Sequence, residues 1–429
     1  MSLKTLRNVI LGLSLFVIGF GLGINASSFG LRSLPIPSEI VNKIPTIPKQ
    51  IDFNLFWDVW ERLSRYYIDK KALDPQKMVY GAISGMVNSL DDPYTVFLSP
   101  DQNKEAKDDL GGKLEGIGVQ LGIKDKKIIV IAPLKDTPAE KAGIRSGDWI
   151  IKVDGIETNN WTLPEAVSKI RGPKGSKVNL TVVHKDASQS AEIMVVREEI
   201  KVASVEWEVK KWKMENGKWK MEKEECSDCE KVIYLKLSRF GDQTTDEWNK
   251  AVDEINATMK PFGSSQGRQL NNGTMKGLIF DLRNNPGGYL TGSVFIASEF
   301  LKDGVVVIQE TAQGGRQTLS VNRKGRLTDI PLVVLMNKGS ASAAEIVAGA
   351  LSERGRAKTV GETSFGKGSV QEAQELSAGA GIHITTSKWL LPSGKWINGT
   401  GVEPDIKVVN DETKGDDLQL EKAVEVLTR

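Results

Sequence analysis

This 429-residue sequence contains few histidines and cysteines, and it has no large excess of charge of either sign. Its two histidines exclude a His-rich metal site, and its two cysteines cannot form a disulfide framework. Lysine and arginine number 57 against 55 aspartates and glutamates, a net charge of +2. That balance points neither to nucleic acid nor to an acidic tail. Any catalytic triad that contains histidine must use His184 or His383.

The composition is otherwise that of a soluble globular protein, with 40% hydrophobic and 26% charged residues. It excludes a polytopic membrane protein and a mostly disordered chain. At roughly 150 residues per domain, the length predicts two or three domains.

The N-terminus has the pattern of a targeting segment. Lys4 and Arg7 precede an uncharged run from Val9 to Ala26, which is typical of an export signal or signal-anchor. The exit from the run has no clear A-x-A cleavage site because Ile24 is bulky, which favours a retained anchor over cleavage. Basic residues before the run place the N-terminus in the cytoplasm and the bulk of the chain outside it.

Changes of periodicity divide the rest of the chain. Apolar residues recur at helical spacing from Asp52 to Asn88, short β segments enclose two helices over 111–200, and strands alternate with helices from Lys231 onward. This alternation of strands and helices predicts a sheet with helices packed on it, an α/β (α+β) fold. We expect the following parts: signal-anchor or signal peptide 1–30, linker 31–50, helical region 51–110, a strand-rich domain 111–200, an α/β core 201–410 with a hairpin insertion 205–230 and a surface loop 261–275, and a C-terminal helix 411–429.

The hairpin insertion contains K-W-K-M-E twice, from Lys211 and from Lys218, around Asn216-Gly217. An Asn-Gly pair between two alternating runs predicts a β-hairpin. Its apolar face, which needs a partner on the body or on a second subunit, consists of Trp212, Met214, Trp219 and Met221.

Cys226 and Cys229 follow at C-x-x-C spacing. They could form a redox pair, half of a metal site or a local disulfide in an oxidising compartment, and we favour the disulfide. A four-Cys zinc site is excluded within one chain.

Three glycine-rich segments of the α/β part carry candidate chemistry: D-L-R-N-N-P-G-G from Asp281, N-K-G-S-A-S-A-A-E from Asn337 and G-E-T-S-F-G-K-G-S-V-Q from Gly361. The paired glycines can turn backbone N–H groups toward a ligand, or form an ordinary turn. The free N–H groups of a helix N-terminus favour an oxyanion nearby, and a serine there can react or simply cap the helix. Lys367 lies between two glycines in an apolar β context, which is unusual for a solvated lysine. The simpler interpretation is a lysine in a surface turn.

Together these segments resemble the carboxyl-terminal processing proteases, the Tsp/Ctp family of S41-type serine peptidases. The resemblance extends over about residues 50–410. It includes L-D-D-P-Y-T from Leu90, which is similar to the family's N-terminal helical region, and L-P-S-G-K-W-I-N-G-T-G-V-E-P-D from Leu391, its closing motif. Residues 111–200 resemble its PDZ domain. The resemblance implies a ClpP/crotonase-like peptidase core with an inserted PDZ domain, and no metal or cofactor.

The resemblance also implies the site residues. Ser342 would be the nucleophile, Lys367 the general base and Gln371 the residue that orients the lysine. The backbone N–H groups of Gly288 and Ala343 would form the oxyanion hole.

A Ser–Lys dyad makes chemical sense here. A serine hydroxyl needs a base, and a lysine at its reference pKa near 10.4 is protonated at pH 7. Burial without a carboxylate partner lowers that pKa, so Lys367 should be desolvated, beside Phe365 and Val370. Gln371 can bond a neutral amine without adding charge. The rival mechanism is a Ser–His–Asp site that uses His383, whose simpler interpretation is a half-exposed strand residue.

In the PDZ-like region, Gly116, Ile117, Gly118 and Val119 are the predicted loop for a terminal carboxylate, with the helix Leu163–Ile170 as the opposite wall. An apolar groove there would select apolar C-terminal tails of protein or peptide substrates. Arg171 follows that helix and is a regulatory candidate, either a contact to the protease body or a solvated side chain.

The sequence therefore predicts a serine endopeptidase that cleaves exported proteins near or from their C-termini, with the PDZ domain gating activity. We expect a periplasmic or cell-surface enzyme, anchored to the bacterial inner or plasma membrane by its N-terminal helix, or secreted if that helix is removed. We also expect homo-oligomers, a regulatory partner protein and no nucleic-acid partner. Two alternatives stay open: a catalytically idle PDZ adaptor or chaperone, and a thiol-redox protein that uses Cys226 and Cys229.

Overall fold

A computed structural model of the chain describes residues 52–429 apart from 125–126, 135, 160, 185–186, 188, 217, 223, 225, 227–228, 260–268, 271–272 and 411–415. The predicted signal segment 1–30 and linker 31–50 thus lie outside the described residues. Within the described ranges, no helix combines the length and the apolar composition that a membrane crossing requires.

The chain divides into two compact units after Met78. In the first, helix α1 (Asn54–Tyr66) is followed by a 3₁₀ turn at Lys70–Ala72. The helix predicted from the apolar spacing is thus present over this segment. Large apolar side chains of α1, among them Leu55 and Trp57, are exposed.

The main sheet of the second unit has eight strands in the order β11-β10-β12-β14-β17-β18-β21, with β13 on β14. Strands β12, β14, β17, β18 and β21 run parallel, and β10 and β11 are antiparallel additions at one edge. The strands are β10 (Val205–Glu215), β11 (Lys218–Glu222), β12 (Glu230–Leu237), β13 (Gln269–Leu270), β14 (Gly273–Asp281), β17 (Leu332–Met336), β18 (Lys358–Gly361) and β21 (Ile406–Lys407).

Four helices cover the main sheet because its parallel strands are apolar on both faces. One face packs on α6 (Thr244–Thr258), α7 (Leu290–Phe300) and α8 (Ala343–Glu353), with Trp248, Phe280 and Phe300 in ring contact at the centre. The other face packs on α9 (Leu418–Thr428) through Leu420, Ala423 and Val424. The result is the predicted α/β fold.

A second sheet carries the segment that follows Lys367. Its order is β1-β20-β15-β16, with β19 on β20. The strands are β1 (Val96–Leu98), β15 (Val305–Thr311), β16 (Arg316–Ser320), β19 (Ser369–Glu375) and β20 (Gly381–Leu390). Helices α2 (Pro75–Asn88) and α3 (Pro100–Leu110) flank β1 in the chain.

Residues 111–200 form a separate sheet in the order β3-β4-β5-β7-β8, with β6 on β5. Its own core contains Val130, Leu180 and Val182, all fully buried. Strands β2 and β9 pair with each other where the chain enters and leaves, so the domain is an insertion. The elements are β2 (Lys113–Gly116), β3 (Val119–Lys124), β4 (Lys127–Pro133), α4 (Pro138–Lys141), β5 (Trp149–Val153), β6 (Ile156–Glu157), α5 (Leu163–Ile170), β7 (Lys177–Val183), β8 (Ser190–Val196) and β9 (Glu198–Lys201).

The predicted hairpin is present as β10 and β11. Trp212 lies opposite Met221 and Met214 opposite Trp219, with Asn216 at positive φ in the turn. The tryptophan face packs on α9 of the same chain. The partner of this apolar face is therefore the protein body. The sulfur atoms of Cys226 and Cys229 are bonded to each other, as the favoured interpretation expected.

One boundary and one helix differ from the sequence prediction. The surface loop predicted for 261–275 ends earlier, because Gln269–Leu270 and Gly273–Asp281 are strands; residues 260–268 and 271–272 lie outside the described part. Helix α3 was not predicted, although Ser99 and Gln102 form a capping box ahead of it.

Replacing Trp212 by Ala should lower the free energy of unfolding of the α/β core by about 2–4 kcal/mol. Trp212 is only 3% exposed, and the lost packing outweighs the relief of an indole N–H that has no acceptor among the described residues. Met214→Ala, on the same strand and face but 49% exposed, should cost about 1 kcal/mol or less. Urea unfolding curves of both variants check this, and equal losses would contradict the packing described for the hairpin.

Candidate active site

The three glycine-rich segments meet because of the strand order. Strands β14, β17 and β18 are parallel neighbours, so their carboxyl ends lie at the same edge of the main sheet. The segments after Asp281, Met336 and Gly361 therefore converge. They bring Gly288, Ser342 and Lys367 into one region.

Ser342 occupies the N-cap position of α8 with φ 53° and ψ −115°. A residue with a Cβ rarely adopts such a conformation, which costs on the order of 1–3 kcal/mol and is typical of functional sites. A Cβ on Gly287 would lie 2.8 Å from Ser342 Cβ, so the strained serine also requires a glycine beside it.

The neighbouring Ser340 has a different role. It is fully buried, its Oγ donates to the Leu282 carbonyl at 2.8 Å and accepts from the Asn337 N–H at 3.0 Å. Its hydroxyl is therefore committed to joining two loops, and Ser342 is the serine available at the helix N-terminus.

The backbone N–H groups of Gly288 and Ala343 have no hydrogen-bond acceptor among the described residues. Ala343 follows Ser342 in the chain, and Gly288 follows Gly287, where an added Cβ would lie 2.8 Å from Ser342 Cβ and 3.0 Å from Ala343 N. A Cβ at Gly288 would lie 2.1 Å from the Phe240 carbonyl oxygen, so only glycine fits there. Two unpaired donors beside a serine hydroxyl can bind a developing oxyanion.

A single buried carboxylate, that of Glu345, ties the serine segment to the lysine segment. Its Oε2 accepts from the N–H of Ser342 at 2.7 Å and from the N–H of Lys367 at 2.9 Å. Its Oε1 accepts from Ser364 Oγ at 2.5 Å and from Gly366 N–H at 2.6 Å. Burial raises the pKa of Glu345, and these four donors oppose that rise.

The amine of Lys367 is half-buried over an aromatic ring. Its Nζ lies 4.9 Å from the ring centroid of Tyr94, and it has neither a hydrogen bond nor an ion pair in the described part of the chain. Burial lowers the pKa of Lys367, while the charges of Asp92 and Glu345 raise it. Phe365, which was expected to shield the amine, is 56% exposed; the shielding ring is that of Tyr94.

Gln371 lies on β19, beyond Lys367, and does not bond the lysine. Its Nε2 donates to Ser369 Oγ at 2.8 Å and to Thr385 Oγ1 at 3.1 Å. No hydrogen bond joins Ser342 to Lys367 either. The structure thus brings the predicted residues into one region without linking their side chains.

Neither histidine is bonded to Ser342. His383 is half-buried on β20, opposite Val96, and its pKa is lowered by burial and by the charge of Lys367. His184 lies in the inserted domain with Nδ1 2.9 Å from Asp148 Oδ1. Among the described residues, no three His, Cys, Asp or Glu side chains are grouped so as to hold a metal ion.

A groove in the inserted domain contains the predicted loop. Gly116, Ile117, Gly118 and Val119 line a cavity of about 130 Å³ together with Val167 and Ile170 of α5. At its end, Arg171 Nη1 pairs with Asp109 Oδ1 of α3 at 3.5 Å. A second cleft, of about 440 Å³, begins at Tyr289, next to Gly288.

Sequence reasoning missed Glu345, Tyr94 and Asp92 as site residues. Glu345 could have been found, because Ser342 and a glutamate three positions later match a capping-box pattern. Nothing in the periodicity around Asp92 and Tyr94 distinguishes them from a turn that ends a helix.

Three family models match the chain: Peptidase family S41 over residues 231–408, PDZ domain over 129–183, and Activating protease CtpB N-terminal domain over 48–102. The carboxy-terminal processing protease CtpB of Bacillus subtilis is 34% identical over 368 residues, which cover 86% of this chain and 70% of the relative. A carboxyl-terminal-processing protease of Picosynechococcus is 35% identical over 88% of this chain and 89% of its own. The solved photosystem II D1 C-terminal processing protease is 28% identical, with a TM-score of 0.50, over 87% of this chain and 97% of its own.

Replacing Glu345 by Gln should lower the rate of substrate cleavage about 10–100-fold, because an amide NH₂ would face N–H donors and loosen both loops. The control is Glu353→Gln, at the other end of α8, where the carboxylate bonds only Ser393 among the residues that the structure describes. Initial cleavage rates of an unfolded protein check this. Wild-type rates for Glu345→Gln would contradict the role of this carboxylate.

Proposed function

The chain belongs to peptidase family S41, among the carboxy-terminal processing proteases, and we propose that Ser342 and Lys367 form the catalytic dyad of this serine-type peptidase. The observation that carries the proposal is the geometry around Glu345. Because the N–H groups of Ser342 and Lys367 bind the same carboxylate oxygen, their backbones are neighbours.

The state of the lysine supports its role as the base. Its amine is partly withdrawn from water and has no carboxylate bonded to it within the described residues, so its pKa is below that of a solvated lysine. A neutral amine can accept the proton of a serine hydroxyl, which is otherwise a weak nucleophile.

The reaction then proceeds by acyl transfer. Lys367 takes the proton from Ser342 Oγ as that oxygen attacks the peptide carbonyl carbon, and the N–H groups of Gly288 and Ala343 bind the carbonyl oxygen as it becomes negative. The peptide C–N bond breaks, and the leaving amine takes the proton from Lys367. Water, deprotonated by Lys367, attacks the acyl carbon; the ester bond to Ser342 Oγ breaks, and Oγ takes the proton back from Lys367.

The role of Gln371 requires a small rearrangement. Its side-chain oxygen makes no hydrogen bond in the described part of the chain, while its NH₂ group holds Ser369 and Thr385. That oxygen can accept from the lysine amine once the amine turns toward Ser342. Catalytic hydrogen bonds commonly tighten only when substrate is bound.

The inserted PDZ domain would hold the C-terminal tail of a substrate. Strand β3 is at the edge of its sheet, so a peptide can add to that edge with its terminal carboxylate at residues 116–119. The groove is lined by Val119, Leu121, Val167 and Ile170, which favours apolar tail residues. Tethering the tail raises the effective concentration of the cleavage site at Ser342.

A continuous set of contacts supports gating by the PDZ domain. Arg171 pairs with Asp109 on α3, and Lys107 on the same helix pairs with Glu375 at the end of β19, the strand that starts just after Lys367. A tail that shifts Arg171 would therefore act on the lysine segment through α3.

We propose exported proteins as substrates, cut near or from their C-termini. Attachment through residues 1–30, self-association and a regulatory partner stay predictions from the sequence. The extracytoplasmic location belongs with them, because the targeting segment lies outside the described residues.

The dyad predicts that Ser342→Ala and Lys367→Ala each abolish cleavage of an unfolded protein with an apolar C-terminal tail. His383→Ala should retain cleavage, and so should the matched control Lys395→Ala, an exposed lysine. Gel analysis and mass spectrometry of the products check this. Loss of activity in His383→Ala with retention in Lys367→Ala would establish the histidine mechanism instead, and an inactive wild type that still binds tails would favour an adaptor.

Gating predicts that Arg171→Ala lowers the turnover of whole proteins severalfold more than it lowers the affinity of the PDZ domain for tail peptides. Arg171 lies at the end of the groove, so its replacement leaves the apolar lining of Val119, Val167 and Ile170 in place while the contact with Asp109 is lost. Lys174→Ala, an exposed neighbour, is the control. Equal losses in turnover and in peptide affinity would contradict gating by the PDZ domain.

A further inference from the structure

We propose that the turn formed by residues 92–95 is a working part of the active site, in which the Tyr94 ring positions the Lys367 amine and Asp92 supplies an opposing negative charge. The proposal rests on the function of Lys367 as the base. It adds two residues that none of the glycine-rich segments contains.

The 92–95 turn is held rigidly. Asp92 Oδ1 accepts from the N–H of Tyr94 at 3.1 Å, and Asp92 Oδ2 accepts from Thr95 Oγ1 at 2.6 Å. Thr95 is buried, and its Oγ1 also accepts from the N–H of Thr385 at 3.0 Å. The turn is therefore fastened to β20 at Thr385, the residue that Gln371 also contacts.

The ring of Tyr94 contacts the Lys367 amine. Nζ lies over the face of its ring at 4.9 Å, within the range of a cation–π interaction. Burial, Glu345 and Asp92 all raise the pKa of Tyr94, which favours its neutral hydroxyl. The ring thus orients the amine without adding a charge.

In the described part of the chain, four titratable groups face Lys367: Asp92 and Tyr94 from the turn, Glu345 from α8 and His383 from β20. Burial and the charge of Lys367 lower the pKa of His383, which favours its neutral imidazole. Glu345 accepts hydrogen bonds from four donors, so replacing its carboxylate would also move both loops. Asp92 is the charge that can be removed separately.

Asp92 is ionised where the lysine works. Burial alone would raise the pKa of its carboxyl, but hydrogen bonds from Thr385, Thr95 and the Tyr94 N–H lower it overall. An anion near the amine favours the ammonium form, so it opposes the effect of burial on Lys367. Removing the charge must lower the pKa of Lys367.

The first test is the pH profile of kcat/KM for the full-length chain on an unfolded protein with an apolar tail. Activity rises with pH as Lys367 loses its proton. Asp92→Asn, which keeps the shape of the turn, should raise the ratio of the rate on this acid limb to the rate on the plateau about threefold or more. An unchanged ratio would overturn the role of Asp92.

Asp91→Asn is the matched control, because its carboxylate is exposed and makes no hydrogen bond or ion pair in the described part of the chain. It should leave the profile as in wild type. A purely structural role of Asp92 would lower activity at all pH values without changing the shape of the profile.

The second test concerns the ring. Tyr94→Phe should keep kcat within about twofold, whereas Tyr94→Leu should lower kcat about tenfold or more with little change in KM. Thermal unfolding checks that both variants fold. Wild-type kcat in Tyr94→Leu, or an equal loss in Tyr94→Phe, would overturn the positioning role.

Lys367→Ala separates this inference from the proposed function. If Lys367→Ala still cleaves, the dyad itself is wrong. If Lys367→Ala is inactive while Asp92→Asn and Tyr94→Leu behave as wild type, the dyad stands and the role of the 92–95 turn is refuted.

Discussion

The site depends on one buried carboxylate. Glu345 accepts from the backbone N–H groups of Ser342, Gly366 and Lys367 and from the Ser364 hydroxyl. These donors belong to loops that follow different strands of the main sheet, and their separation in the folded chain is set by the reach of one side chain. Without this carboxylate three backbone donors would be buried without acceptors, which is costly.

The same arrangement sets the protonation of the base. Burial favours the neutral amine of Lys367, and the negative charges of Glu345 and Asp92 favour the ammonium. Three backbone N–H groups and the Ser364 hydroxyl occupy the oxygens of Glu345, so this carboxylate stays near the lysine without forming an ion pair with it. The Tyr94 ring excludes water from one side of the amine. The balance leaves a lysine whose pKa is below its ordinary value, which a base in a Ser–Lys peptidase needs.

Sequence patterns predicted some features of this structure and could not predict others. The three glycine-rich segments were expected to form one site, and the resemblance to the carboxyl-terminal processing proteases implied Gly288, Ser342 and Lys367 as its residues. The structure brings these residues into one region because the parallel strands before them end at one edge of the sheet. Alternating Trp and Met predicted the face that packs on α9. The pattern could not show that Tyr94, rather than Phe365, covers the lysine, since the turn and the lysine are far apart in sequence. Nor could it show that Gln371 bonds Ser369 and Thr385, because side-chain hydrogen bonds are set by tertiary packing.

The central claim is that Lys367 carries an amine which loses its proton more readily in the folded chain than in water. Trace acetylation over a range of pH, followed by mass spectrometry of the peptide that contains Lys367, measures this for one lysine among many. The account predicts that the amine becomes reactive at a lower pH in the folded protein than in the same protein unfolded in urea. An identical pH dependence in both states would contradict it.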